Sequence, residues 1–174
     1  IAKRSIEQEA FCFSNLISFI NKAFEKAVSL IHESQRRMVI SGIGKSAIIA
    51  QKIVSSLIST GTPSLFLHAA DAIHGDIGMV QQNDVVMILS KSGDSPEIKV
   101  LVPLIKNFKN PLIAICGNME SYLAKCADIT LNTTVSQEAC PNNLAPTSST
   151  TAQIVMGDAL TVCLMNLKGF SADD

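Results

Sequence analysis

Asp84-Val85-Val86-Met87-Ile88-Leu89-Ser90-Lys91-Ser92-Gly93-Asp94-Ser95-Pro96-Glu97 joins an unbroken apolar run to a serine-rich turn, and the turn to a helical pattern. The β-branched run 84–89 reads as a strand buried on both faces, as in a parallel sheet. Ser95 suits an N-cap and Pro96 the first helical position, so Ile98-Lys99-Val100-Leu101-Val102 begins a helix. A strand that ends in hydroxyls and a glycine just before a helix amino end makes an anion site, because free N–H groups and the positive end of the dipole converge there. The same residues also suit a capped turn that binds nothing. Three serines and a glycine in so short a loop favour phosphate.

Working outward, strand and helix alternate from Met38 onward. Strands are expected at Met38–Ile40, Ser64–His68, Asp84–Leu89, Leu112–Cys116 and Ile129–Thr133. Helices are expected from Ala47 to about Ser59, from Pro96 to about Lys109, around Ser121–Cys126, and from Thr147 to a stop at Gly169. Ahead of them, Phe13, Leu16, Ile17, Ile20, Phe24, Ala27, Leu30 and Ile31 recur at three- and four-residue steps, which predicts one long helix over 5–34. The α/β core over 38–170 then reads as a three-layer αβα arrangement around a five-stranded parallel sheet, flavodoxin-like and doubly wound. The whole of 1–174 reads as a single domain. Ligands of such folds bind beyond the carboxyl ends of the strands. Every candidate motif, Gly42–Ser46, His68–His74, Ser90–Glu97 and Thr133–Glu138, is expected at those ends.

Composition narrows the function classes. The chain has 174 residues, 47% hydrophobic and 17% charged, with a net charge of −1, enough for a substantial core and without the basic excess of a nucleic-acid or membrane-surface binder. No apolar run is long enough to span a bilayer and no basic-then-apolar leader opens the chain, which starts at Ile1 as though trimmed. Cys12, Cys116, Cys126, Cys140 and Cys163 include no C-x-x-C pair and suit a reducing cytoplasm without disulfides. The last helix is apolar nearly all round, so an oligomer is expected.

Gly42-Ile43-Gly44-Lys45-Ser46-Ala47 follows a strand and matches the loose dinucleotide pattern G-x-G-x-x-A, but the next strand closes on His68 where an acidic residue would be wanted. A nucleotide P-loop would need a glycine about five residues before Gly44, and Val39 stands there inside the strand. What remains is a glycine turn that carries Lys45 over the strand ends, or simply a tight turn with a solvated lysine. Glu97, in a first helical turn, serves either the dipole or chemistry. Glu138, beside Ala139, Cys140 and Pro141, is expected to have a raised pKa and to act as a base near neutral pH. His74 is a plausible acid–base or hydroxyl-binding group, while His32 reads as structural. Together these residues suggest proton transfer on a small phosphorylated metabolite.

Ser41-Gly42-Ile43-Gly44-Lys45-Ser46, Thr60-Gly61-Thr62-Pro63, His74-Gly75-Asp76-Ile77-Gly78-Met79, Ser90-Lys91-Ser92-Gly93-Asp94-Ser95, Glu138-Ala139-Cys140-Pro141 and Leu144-Ala145-Pro146-Thr147-Ser148-Ser149-Thr150 resemble the sugar isomerase (SIS) domain, and more narrowly D-arabinose 5-phosphate isomerases of the KpsF/GutQ type. The serine loop alone marks any SIS domain; the combination is far more specific. The resemblance implies interconversion of D-ribulose 5-phosphate and D-arabinose 5-phosphate for synthesis of the sugar Kdo, in lipopolysaccharide or capsule. It implies a tetramer with sites between subunits and no cofactor. It assigns catalysis to Lys45, Glu97, Glu138 and His74, and substrate binding to Ser41, Gly44, Gly61, Thr62, Ser90, Ser92 and Ser95. His68 matches a position linked to an inhibitory zinc. Relatives often carry paired CBS domains, which nothing here resembles, and a further catalytic histidine beyond the segment like Gly169–Asp174.

Aldose–ketose isomerisation needs a base to move a proton between C1 and C2 through an enediol, and a cation or donor for the developing oxyanion. The reading makes Glu138 the base, Lys45 the electrostatic partner, and Glu97 and His74 helpers in ring opening and hydroxyl proton transfer. The rivals are a non-catalytic module that senses a phosphosugar, which has no need of those four residues together, and an isomerase of another phosphosugar. Feedback by a later Kdo-pathway product is also expected. No nucleic acid or membrane partner is.

Overall fold

A computed structural model describes residues 1–34 and 36–171. Five parallel strands, β1 (Met38–Gly42), β2 (Ser64–His68), β3 (Val85–Ser90), β4 (Leu112–Cys116) and β5 (Ile129–Asn132), form one sheet in the order β2-β1-β3-β4-β5. All residues of β1, β3 and β4 are buried, which explains their continuous apolar sequence; the edge strands β2 and β5 are only partly buried. Pairing is in register from Met38 opposite Ser64 and Val85 to Gly42 opposite His68 and Leu89, so the carboxyl ends of β1, β2 and β3 lie level. The chain reverses its direction across the sheet between β1 and β3, the switch point at which such folds open a crevice.

Seven helices complete the order among the described residues: α1 (Ala2–Ser14), α2 (Lys22–Glu33), α3 (Lys45–Ser59), α4 (Ala69–Ile73), α5 (Pro96–Asn107), α6 (Tyr122–Cys126) and α7 (Ser148–Leu167). Met38, Ile40, Met87 and Leu89 point to the face covered by α2, α3 and α7. Val39, Val86 and Ile88 point to the face covered by α4, α5 and α6. The strands alternate sides as their period demands. None of these helices is long and apolar enough to cross a membrane.

The expected single helix over 5–34 is instead broken in two. The chain passes from α1 through a tight 3-10 turn, Asn15–Phe19, into extended backbone at Ile20 and Asn21. The Asn21 side chain then accepts the Ala23 N–H at 2.8 Å and starts α2 afresh. The apolar spacing is kept across the break, so periodicity alone does not reveal it.

Three glycines decide the geometry of the switch point. A side chain at Gly42 would meet the Ser46 carbonyl at 2.9 Å, and Gly44, the residue before α3, has φ of 57° and ψ of −129°. In the serine loop, Gly93 has φ of 69° and its missing Cβ leaves room for Ser121 and for Cys116 Sγ, 2.8 Å from the ideal Cβ position. Both loops therefore turn tightly enough to bring helix amino ends over the sheet. Gly93→Ala adds both strain and overlap, and is expected to cost about 3 kcal/mol. Thermal unfolding should show a Tm drop on the order of 10 °C; a change within the error of the melt would contradict this packing.

Candidate functional site

Beyond the strand ends, the β1–α3 turn, the β3–α5 loop and the amino end of α7 enclose a cavity of about 190 Å³. Ile43, Lys45, Ser46, Lys91, Ser149 and Gln153 are among its lining. Ser46 Oγ donates to Gln153 Oε1 at 3.1 Å, joining the first turn of α3 to α7. Lys45 is exposed and makes no hydrogen bond or ion pair among the described residues, so its charge is available to a ligand. The volume suits a small metabolite.

The serine loop divides its hydroxyls. Ser90 Oγ accepts the Gly93 N–H at 2.9 Å and Ser92 Oγ accepts the Asp94 N–H at 3.3 Å, which shapes the turn and leaves both O–H groups free to donate. Ser95 stands at the N-cap of α5 as expected, yet its side chain makes no capping bond, and Oγ is buried without a partner. Ser41 Oγ, at the end of β1, is likewise buried and unpartnered. Unpaired buried hydroxyls are costly, so the two at the carboxyl end of β1 and the amino end of α5 are candidates to bond an anion there.

Glu138 departs from its expectation. Its side chain is fully buried in the β5–α7 connection, and burial alone would raise its pKa. Hydrogen bonds reverse that. Lys91 Nζ donates to Oε1 at 2.8 Å, Ser149 Oγ donates to Oε1 in a short bond, and the Thr147 and Ser149 N–H groups reach Oε2 at 2.8 and 3.1 Å. These donors hold the pKa down to about 2. The neighbours that suggested an apolar pocket, Ala139, Cys140 and Pro141, are adjacent in sequence, whereas the donors come from the helix start and the serine loop. Glu138 thus caps α7 from outside the helix, as a fixed anion at a positive helix end. Its far side borders a second cavity, of about 180 Å³, lined by Arg4, Gln8, Cys140 and Asn143. There the Asn142, Leu144 and Ala145 N–H groups lower the Cys140 thiol pKa, against burial and the nearby Glu138 charge.

Glu97 lies half-buried in the first turn of α5, without a hydrogen bond or ion pair among the described residues. His74 is exposed at the end of α4. His68 closes β2 with Nδ1 3.8 Å from Asp71 Oδ2. Among the described residues no three His, Cys, Asp or Glu side chains gather to hold a metal ion, so these two would be a partial ligand set. Gly61 and Thr62 are not brought to this cleft. They precede β2, at the amino end of the sheet, where Lys168 Nζ of the segment after α7 donates to Gly61 O at 2.8 Å and Thr62 Oγ1 at 2.9 Å. Residues 172–174 and the histidine expected to follow lie outside the described residues.

Lys91, Ser149 and Gln153 were not singled out by sequence. The available signal was the run Thr147-Ser148-Ser149-Thr150 at a helix start with a lone carboxylate upstream, a pairing that calls for a tertiary cap.

A model of the SIS domain matches residues 30–163. The chain belongs to the SIS domain family. Arabinose 5-phosphate isomerase KdsD of Pseudomonas aeruginosa is 49% identical over 173 residues, 99% of this chain and 53% of that protein. KdsD of Escherichia coli K12 is 47% identical over 170 residues, 98% of this chain and 51% of that protein. The chain spans about half the length of the curated relatives it matches. Among solved structures, Escherichia coli CFT073 c3406 in complex with arabinose 5-phosphate aligns with a TM-score of 0.96 at 36% identity, covering 99% of this chain and 92% of that one. The fold is the α/β three-layer arrangement read from sequence.

The depressed pKa of Glu138 carries a signed consequence for stability. Because the folded value is about 2 against an ordinary 4.5, ionisation stabilises the fold above pH 4.5, and that contribution fades as pH falls toward 2. From pH 6 to pH 3 this group should remove about 2 kcal/mol. Urea unfolding at the two pH values should show that Glu138→Gln lacks this part of the acid loss. An equal pH dependence in both proteins would contradict the hydrogen-bonded carboxylate.

Proposed function

We propose that the chain is a single SIS domain, 1–174, that interconverts D-arabinose 5-phosphate and D-ribulose 5-phosphate through an enediol. The observation that carries this reading is a free lysine, Lys45, sharing the switch-point cavity with Lys91, whose ammonium pairs with the buried Glu138 carboxylate, while Ser41 at the end of β1 and Ser95 at the start of α5 carry unpartnered hydroxyls. The curated relatives named for the same isomerase, similar over nearly the whole chain, support it.

In this reading the amino end of α5 and the hydroxyls of Ser41, Ser90, Ser92 and Ser95 hold the phosphate, with Gly44 giving it backbone access. Glu97 and His74 act at the sugar end, and the closed-ring sugar opens by proton transfer to its ring oxygen. The C2 proton goes to Glu97, because a carboxylate held near a pKa of 2 by its donors, as Glu138 is, makes a weak base. Glu138 instead accepts a sugar hydroxyl or balances charge, and Lys45 stabilises the oxyanion at O1 or O2 of the enediolate. The O2 hydroxyl proton passes to O1 by way of His74, and the proton on Glu97, which exchanges with solvent while it is held there, is delivered to C1 to give the ketose. His68 is the position at which zinc would inhibit.

The active form in this reading is a homotetramer with sites between subunits. Gly61 and Thr62 support that, since their place at the amino end of the sheet would bring them to a cleft only from a neighbouring subunit. So do the exposed Ile6, Phe11 and Ile17 near the amino terminus, and Ile48 and Ile58 on α3. The enzyme works in the cytoplasm on a phosphosugar that feeds Kdo for lipopolysaccharide or capsule, and a later product of that route inhibits it.

Incubating the full-length protein with D-arabinose 5-phosphate should yield D-ribulose 5-phosphate, faster than with hexose or heptose phosphates. Lys45→Met and Glu97→Gln are expected to lower kcat on the order of 10²–10³-fold, and Glu138→Gln by less than Glu97→Gln. Saturable binding without product would instead favour a sensor, and a larger loss in Glu138→Gln would return the base to Glu138.

A further inference from the structure

An anion-binding turn accounts for the serines and the glycine of the β3–α5 loop but not for Lys91. Phosphate contacts there would use hydroxyls and backbone N–H groups, and the Lys91 backbone is itself pinned. A side chain at Gly117 would come 2.8 Å from the Lys91 carbonyl oxygen, so the end of strand β4 packs directly against this turn. Only the lysine side chain has reach. It is 51% exposed at the wall of the same cavity as Lys45, and its ammonium lies 2.8 Å from Oε1 of a carboxylate with no exposure at all.

Several groups surround that carboxylate. Lys91 comes from the loop after β3, and the Thr147 and Ser149 N–H groups and the Ser149 hydroxyl come from the start of α7. Arg4 of α1 and the Cys140 thiol line the cavity on its far side, and Lys45 of α3 shares the near cavity with Lys91. Among the described residues Lys91 is the cation in hydrogen-bond contact with Glu138. The helix donors fix mainly Oε2, whereas Lys91 and the Ser149 hydroxyl share Oε1.

We propose that Lys91 is the positioning residue of the cleft, its ammonium fixing Glu138 Oε1 in direction. The catalytic consequence rests on the isomerase reading above; the electrostatic part stands without it. Removing the ammonium leaves Oε1 to one hydroxyl, so the carboxylate gains both a higher affinity for protons and freedom to turn. A misdirected group near reacting atoms lowers turnover more than binding.

The test uses full-length protein labelled with ¹³C at glutamate side-chain carboxyls, with the Glu138 resonance assigned by its loss in Glu138→Gln. Lys91→Met, Lys91→Gln and Lys91→Arg are compared with wild type by carboxyl titration, by thermal unfolding and by kinetics on D-arabinose 5-phosphate. In Lys91→Gln and Lys91→Met the Glu138 midpoint is expected to rise by about one pH unit, and kcat to fall about tenfold with KM within about twofold. Lys91→Arg should restore both readouts in large part, because it keeps the cation. The Gln variant keeps a polar side chain and serves if the Met variant does not fold. An unmoved Glu138 titration overturns the inference, and so does a moved titration with unchanged kcat, or a rise in KM alone. A wild type without turnover would overturn the isomerase reading, and the titration would still decide whether Lys91 holds Glu138.

Discussion

The cleft depends on one buried charge. An ionised carboxylate removed from water is strongly unfavourable unless it is paired and hydrogen-bonded, and Glu138 meets that demand with donors from two separate parts of the chain. Meeting it draws the β5–α7 connection over the strand ends, seats the first turn of α7 against it, and pulls Lys91 across from the serine loop. The Asn143 side chain adds a further tie by accepting the Glu138 N–H at 2.6 Å. Without the charge, three segments that form the cavity wall would lose their common anchor. A buried ion pair is a poor source of net stability. Its value here lies in geometry.

The sheet supplies the rest by topology. Since β1 and β3 are neighbours that lead away in opposite directions, the turn after β1 and the loop after β3 leave a crevice between them. Gly42 and Gly93 let both turns close tightly, and the amino ends of α3, α5 and α7 come to the same side. Lys45 and Lys91 share one small cavity with the first turns of α3 and α7, and the amino end of α5 starts from the same end of the sheet. Positive charge at strand ends next to helix amino ends suits a small anion.

Much of this was legible in sequence, for identifiable reasons. Strands β1, β3 and β4 are buried on both faces, so their apolar runs are continuous and their bounds emerge within a residue or two. The α5 start was legible because Ser95-Pro96 is a strong local signal. The break near Ile20 was not, since the apolar spacing runs on through it and only Asn21 marks the restart. The electrostatics of Glu138 was hidden for a different reason. Its donors lie 9, 11 and 47 residues away, and local neighbours pointed the opposite way. The role of Gly61 and Thr62 is also a matter of distance, because their end of the sheet is decided by the whole βα unit rather than by their own motif.

In the proposed reaction this cleft moves a proton at C2 of a phosphopentose. The most direct measurement is NMR of D-arabinose 5-phosphate incubated in heavy water with the full-length protein. The C2 proton signal is expected to disappear through exchange with solvent, with D-ribulose 5-phosphate appearing alongside. A C2 proton that survives prolonged incubation with saturating protein would contradict it.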